Sequence, residues 1–344
     1  MLKALDLPTF LFMRILLLVL VVASPAFAQE VPIDAAQPFD VWLDAFVAEA
    51  RGKGYDDDLL SKTVVGLEPL TRVVAADRSQ AELTISFDRY VRTRLTPTVI
   101  RRGRELSRQH QGVLNGIEKQ YDVQRRFLLA IWGMETRYGR VTGRTPIFQA
   151  LATLAWEPRR AEFFRGQLYD ALTIVQRGYI DAPSMTGSWA GAMGQPQFMP
   201  SSYLQYAADF DGDGRRDIWR STADALASIA NYLKGWGWNG DQTWGREVRV
   251  TRAVREKIAA AVPPRTDGCY AMRDMTERVP LAQWRALGVR LVKGQPLPRA
   301  DLAAGLVETD DRTFLVYPNY DAILRYNCAH HYALSIALLS DRLE

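Results

Sequence analysis

Residues 127 to 134 read Phe-Leu-Leu-Ala-Ile-Trp-Gly-Met, apolar without a break, and the next residue is Glu135. A segment of this kind has to be buried. On a helix Phe127, Ile131 and Glu135 recur at i, i+4 and i+8, so a carboxylate shares the face of two core residues. Burying an unpaired charge costs several kcal/mol, so such a glutamate is paired, kept neutral or kept for chemistry. Arg137 is a candidate partner. Without a partner, apolar surroundings disfavour the charged form and leave a carboxyl able to hold a proton near neutral pH and deliver it to a leaving group. Asp122 is placed to cap the start of this helix and Gly139 to end it.

The remaining pattern is mostly helical. Phe39, Trp42, Leu43 and Phe46 fall at i, i+3, i+4 and i+7, an amphipathic stripe. Helical spacing continues over 79–93, 96–120, 160–178, 201–207, 222–236 and 329–343. Between Gly240 and Tyr317 the texture changes: the alternation Glu247-Val248-Arg249-Val250 and the run Thr313 to Tyr317 predict short strands among turns. The expected class is mainly α, of α+β type. Its predicted regions are an N-terminal helical part (29–120), a central core (121–240), a small β-containing subdomain (241–318) and a C-terminal helix (319–344). With 344 residues, 48% of them hydrophobic, the chain can bury a sizeable core.

At the start, Arg14 precedes the apolar run Ile15 to Ala23, and Ala26 and Ala28 form a small-x-small cleavage pattern. Residues 1–28 therefore read as a secretory signal peptide cut before Gln29, and no lipid anchor is expected because no Cys lies near that cut. No later stretch approaches the roughly 20 apolar residues of a membrane span. In an oxidising compartment Cys269 and Cys328 can form a disulfide; two buried thiols are the alternative. The net charge of +4 suits an acidic or polyanionic partner, but no Lys/Arg run is dense enough to argue for nucleic acid.

Two further motifs carry chemistry. In "DFDGDGRRDIW", Asp209, Asp211 and Asp213 take positions 1, 3 and 5 of a calcium loop. Gly214 makes the turn at 6, Arg215 offers its carbonyl at 7, and Asp217 stands at 9. Three carboxylates in five residues repel one another unless a divalent cation sits among them. Position 12, where a bidentate Glu belongs, is Arg220, and Asp224 is the substitute closing ligand. In "GSWAGAMGQPQFMPSSY" the small residues allow close backbone approach to a ligand, and Gln197 offers an amide for sugar or peptide groups. Other chemistries drop out. The only histidines are His110, His330 and His331, no zinc spacing is present, and there is no nucleophile elbow, Walker loop or dinucleotide fingerprint.

Together the blocks "WGMETRYG", "LATLAWEPRRAEFF", "GSWAGAMGQPQFMPSSYLQYAADFDGDGRRDIW", "DALASIANYL" and "RYNCAHHYALSIALL" resemble, in this order, the B-type lytic murein transglycosylases. The likeness runs from about residue 39 to 342. It implies a lysozyme-like helical core acting on the glycan strands of peptidoglycan; with the signal peptide and no nearby Cys, a soluble periplasmic protein is expected, as a monomer. Glu135 matches the family's single catalytic glutamate, which acts first as acid and then as base. Tyr90, Arg159, Arg160, Ser188, Gln197, Tyr232, Tyr326, Asn327 and Tyr332 fall where the family lines its sugar and peptide subsites. Asp209, Asp211, Asp213, the Arg215 carbonyl and Asp224 match its calcium loop; no cofactor is implied for catalysis. The implied reaction needs no second carboxylate, because the substrate's acetamido group and C6 hydroxyl serve as nucleophiles. A lysozyme-type hydrolase and a non-catalytic, calcium-stabilised peptidoglycan-binding protein are the alternatives.

Overall fold

The computed structural model describes residues 37–78 and 85–344, and among these seven α-helices come first. The signal-peptide expectation, and the part of the helical pattern at 79–84, lie outside the described residues. The helices are α1 (Phe39–Gly52), α2 (Asp57–Thr63), α3 (Thr71–Arg78), α4 (Phe87–Arg94), α5 (Pro97–Gln109), α6 (Gln111–Tyr121) and α7 (Arg125–Thr136). A two-residue strand β1 (Thr145–Pro146) leads into α8 (Ile147–Trp156) and α9 (Ala161–Gln176) and pairs with β2 (Thr186–Gly187). Then come α10 (Pro200–Tyr206) and α11 (Thr222–Gly235). The next segment holds β3 (Gly245–Arg249), α12 (Arg252–Ala261), α13 (Tyr270–Arg273), β4 (Val279–Pro280), α14 (Leu281–Leu287), β5 (Arg290–Leu291), β6 (Ala303–Glu308) and β7 (Thr313–Val316). Last are α15 (Asn319–Tyr326) and α16 (His330–Leu343). The class is mainly α, with a five-stranded antiparallel sheet in the order β4-β6-β7-β3-β5 beside the two-stranded β1-β2 pair.

Three apolar cores organise these elements. The stripe of α1 buries Phe39, Trp42, Leu43 and Phe46 in a core shared with α8, α9 and α10. The run Phe127 to Trp132 is the centre of a second, packed by α11 and α16, whose buried faces are mainly apolar. A third is built on the sheet, where Val248, Leu306 and Leu315 pack with Trp284 of α14.

Several boundaries differ from the sequence expectation, each for a local reason. Asp122 does not start α7: it ends α6 in the left-handed region (φ 57°), and its carboxylate accepts from Gly240 N–H at 3.2 Å. The first amide of α7, Arg125 N–H, is received by Glu118 Oε1 at 2.6 Å. Nor does α7 reach Gly139, because Arg137 and Tyr138 already turn left-handed at φ 51° and 62°. The 96–120 pattern is two helices broken at His110. The 241–318 segment carries three helices beside its strands, and β6 (Ala-Ala-Gly-Leu-Val-Glu) escapes a propensity reading because half of it is Ala and Gly. The C-terminal segment is two helices, α15 and α16, bent at 327–329.

Cys269 and Cys328 are joined by a disulfide across 59 residues. It fastens the start of α13 to the α15–α16 bend, and the Cys328 sulfur also accepts from Ala271 N–H at 3.3 Å. Closing a loop of this length is worth about 4 kcal/mol in the chain-entropy model. No helix among the described residues is long and apolar enough to cross a membrane.

Candidate active site

The end of α7 is clamped from its buried side. Trp132 Nε1 donates to Gln195 Oε1 at 3.0 Å, Thr136 Oγ1 donates to the Gln195 carbonyl at 2.9 Å, and Gly139 N–H donates to Thr136 Oγ1 at 3.0 Å. Gln195 is itself anchored by its N–H to the Ile218 carbonyl at 2.9 Å. A methyl group on Gly139 would come 2.6 Å from Gln195 Oε1, so the chain can pass only as glycine. Helix α7 thus delivers Glu135, one residue before Thr136, at a rigid terminus and half-buried. Arg137, the partner considered for it, is exposed and lines a cavity with Arg94 and Arg140.

Around Glu135 the structure gathers phenols. Tyr332, from the buried face of α16, donates its hydroxyl to Glu135 Oε1 at 2.5 Å. Burial pushes the Tyr332 and Tyr326 hydroxyls well above the ordinary phenol range, and the charge of Glu135 adds to both. They therefore stay protonated, as neutral hydroxyls beside a ring face. Tyr326 donates to the Pro196 carbonyl at 2.6 Å, and Tyr232 to the Arg325 carbonyl at 2.5 Å. The Tyr232 and Tyr326 rings sit 4.8 Å apart, with Phe198 5.9 Å from Tyr326. Tyr90 is buried on α4, its ring 5.6 Å from that of His331, the residue before Tyr332. These contacts bring Glu135, Tyr90, Tyr232, Tyr326 and Tyr332 together.

The other predicted residues are placed differently. The glycines of the 187–194 loop serve tight packing within the protein: a methyl on Gly187 would meet the Ala192 carbonyl at 2.0 Å, and one on Gly194 would meet Ile218 at 2.7 Å. Ser188 Oγ accepts from Ala192 N–H at 3.1 Å and closes this turn. Gln197 is left-handed (φ 53°), and its Nε2 donates to the Thr142 and Gly194 carbonyls, each at 3.0 Å. Asn327 is exposed at the end of α15. Arg159 and Arg160 stand on a short turn, Pro158–Arg160, and both grip Asp77 of α3, Arg159 at 3.0 Å. Asp77 is 1% exposed, and beside it buried Glu157 pairs with Arg78 at 2.9 Å. Neither Asp77 nor Gln195 is singled out by the sequence, because the partners of each lie far along the chain.

The acidic loop folds as its spacing predicts. Asp209, Asp211 and Asp213 each present a carboxylate oxygen within 4.8 Å of the others. Gly212 and Gly214 take φ of 77° and 85°, and their N–H groups donate to the two oxygens of Asp209 at 2.8 and 2.9 Å. Arg215 N–H donates to Asp213 at 2.8 Å. This oxygen-only donor set on a sharp turn fits a hard divalent cation. Asp224 stands outside the three-carboxylate group: it is buried at the start of α11, and its two oxygens accept from Phe210 N–H (2.8 Å) and Asp217 N–H (2.9 Å). Each oxygen keeps a further lone pair for a cation. Asp217 is occupied by the amides of Trp219 and Arg220.

Comparison with known proteins bears on this arrangement. Residues 38–341 match the family model described as the transglycosylase SLT domain. Over 254 residues the chain is 37% identical to membrane-bound lytic murein transglycosylase B of Escherichia coli (strain K12), a match that spans 72% of this chain and 64% of that protein's length. Its fold is similar to that of SltB3 from Pseudomonas aeruginosa, solved in complex with NAG-anhNAM-pentapeptide (TM-score 0.79, 42% identity, 89% of this chain and 79% of that one). It is also similar to the Escherichia coli lytic transglycosylase SLT35, solved in complex with calcium (TM-score 0.73, 31% identity, 90% and 93%).

Proposed function

The chain belongs to the transglycosylase SLT domain family, and from that premise we propose that it is a lytic transglycosylase: it cleaves the MurNAc–GlcNAc β-1,4 bond of peptidoglycan and leaves a 1,6-anhydro-MurNAc end. The observation that carries this reading is the half-buried Glu135 at a clamped helix end, hydrogen-bonded by a phenol that cannot ionise near neutral pH. SltB3 is solved in complex with NAG-anhNAM-pentapeptide, a ligand that carries the anhydro sugar of the proposed product.

In the proposed mechanism Glu135 protonates the glycosidic oxygen as the bond from C1 to that oxygen breaks, with the acetamido group of MurNAc assisting departure. The C6 hydroxyl then bonds to C1, and its proton returns to Glu135. No water is consumed, and the carboxyl ends as it began, acid in one half and base in the other. General acid–base catalysis of this kind contributes roughly 10²–10⁴-fold, and positioning of the polymer supplies much of the remainder. Tyr90, Tyr232, Tyr326 and Tyr332 wall the groove, Ser188 and Gln197 shape its loop, and Asn327, Arg159 and Arg160 contact strand or peptide. Asp209, Asp211, Asp213, the Arg215 carbonyl and Asp224 would hold a structural Ca2+; the clustering of the first three carboxylates and the calcium complex of SLT35 support this. The protein acts in the periplasm after loss of residues 1–28, as a monomer.

Digestion of purified sacculi tests the reading. The parent protein is expected to release anhydromuropeptides and Glu135→Gln to release almost none. Products heavier by one water would instead identify a hydrolase, and binding without release a non-catalytic protein.

A further inference from the structure

Tyr326 and Tyr332 reach the groove from either side of a three-residue bend, Asn327 to Ala329, between α15 and α16. Tyr326 donates to the Pro196 carbonyl at 2.6 Å and Tyr332 to Glu135 Oε1 at 2.5 Å, so the path of this bend decides where both phenols point. Little in the local sequence fixes it. Asn327 and Ala329 are extended, with φ of −149° and −145°, and the N-cap of α16 is Ala329, whose side chain has no oxygen to receive the first amides of the helix. Within the bend, Asn327 N–H donates to the Ile323 carbonyl at 3.2 Å and Ala329 N–H to the Asn327 carbonyl at 2.8 Å.

The bend is held from elsewhere in the chain. Cys328, at its centre, is bonded to Cys269, and its sulfur accepts from Ala271 N–H at 3.3 Å. Cys269 is the N-cap of α13, and this end is anchored: Ala271 and Met272 are buried in the core that also contains Tyr332. Beyond α13, the Met275 carbonyl accepts from Arg265 N–H at 2.9 Å, and Thr276 N–H donates to the Leu306 carbonyl of β6 at 3.2 Å. Arg265 also pairs with Asp321 of α15 at 2.8 Å. The bridge therefore ties the bend to a short helix that the core and the sheet fix in place. Tyr326 is two residues before Cys328 and Tyr332 four residues after it, so a shift of the bend is passed to both phenols. Both cysteines are partly exposed, beside exposed Tyr270 and Asn327.

Resting on the transglycosylase reading, we infer that Cys269 and Cys328 are positioning residues of the reaction: their disulfide sets the α15–α16 bend so that Tyr332 meets Glu135, and opening it slows bond cleavage without unfolding the chain. A dithiol opens the bridge by exchange. Two electrons pass to the cystine, its S–S bond is replaced by two thiols, and the dithiol leaves as a cyclic disulfide.

The test measures kcat and KM for anhydromuropeptide release well below the melt. In Cys269→Ser/Cys328→Ser kcat is expected to fall about tenfold with KM held within about threefold, since a misplacement of about 1 Å at the reacting groups can cost about 100-fold. Parent protein reduced with dithiothreitol should show the same fall, with both thiols counted by titration and the fold checked by near-ultraviolet circular dichroism. Reoxidation should restore its rate, and the Ser variant should not respond to the reagent. A bridge that acts through Tyr332 has no hydrogen bond left to aim in Tyr332→Phe, so opening it there should change kcat by less than about twofold. An unchanged kcat in the folded, reduced parent, or an equal fall in the Tyr332→Phe background, overturns the inference. So does loss of the dichroism signal together with activity, which would assign the bridge to stability alone. An oxidised parent that releases no anhydro products refutes the transglycosylase reading, and this inference with it.

Discussion

Tyr332 and Glu135, 197 residues apart in the chain, share a hydrogen bond of 2.5 Å in which the buried phenol donates to Oε1. The bond holds the carboxyl from the α16 side while Gln195 holds its helix from the other. Tyr332→Phe keeps the ring and removes only the donor. Hydrogen bonds to charged groups are worth roughly 1.5–3 kcal/mol, so kcat for anhydromuropeptide release should drop about 10- to 100-fold while KM changes little. Unaltered initial rates would show that the phenol does not help to aim the acid.

Asp77 neutralises two arginines from a site that is almost fully enclosed. Asp77→Asn preserves size but leaves Arg159 and Arg160 without their shared anion. If those arginines contact the strand, KM should rise about tenfold with kcat nearly constant. Loss of stability alone, without a change in KM, would restrict the cluster to a structural role.

Chelation should destabilise the protein without reaching the candidate active site. At 100 times its dissociation constant a bound ion stabilises by about 2.7 kcal/mol, so removing calcium should lower the melting temperature by several degrees, and restoring it should reverse the shift. Asp213→Ala should abolish the response. Turnover measured well below the melt should persist with and without chelator.

Burial raises the phenols of Tyr232, Tyr320, Tyr326 and Tyr332 above the ordinary value of 10. For an acid whose folded pKa is raised, the native state keeps the proton that the unfolded chain releases. The contribution is therefore intact below about pH 10 and is lost as pH climbs beyond it, about 1.4 kcal/mol per unit for each phenol. In an alkaline titration followed by tyrosinate absorbance, these phenols should ionise only with the loss of near-ultraviolet circular dichroism. Tyrosinate formation from all 14 tyrosines before any unfolding would contradict this.

The parts of the fold legible beforehand are those where a residue's neighbours within two turns settle its state. The α1 stripe at Phe39, Trp42, Leu43 and Phe46, the alternation that became β3 and the run that became β7 are of this kind. So is the acidic loop, whose glycines and carboxylates act over five residues. Asp122 was misread because a good capping residue serves either neighbouring helix, and the amide that claimed it, Gly240 N–H, is 118 residues away.

The sequence by itself determined that a carboxylate ends a buried helix, that three carboxylates share one tight loop, and that the chain is mostly helical. Each follows from spacing along the backbone, which local geometry converts directly into a face or a turn. Only the tertiary structure decided that Tyr332 meets Glu135, that Asp77 pairs with Arg159 and Arg160, and that Cys269 joins Cys328. These are pairings between groups tens to hundreds of residues apart. Their energy comes from desolvation and hydrogen bonding that exist only once the chain has packed, and such separations leave no period in the sequence.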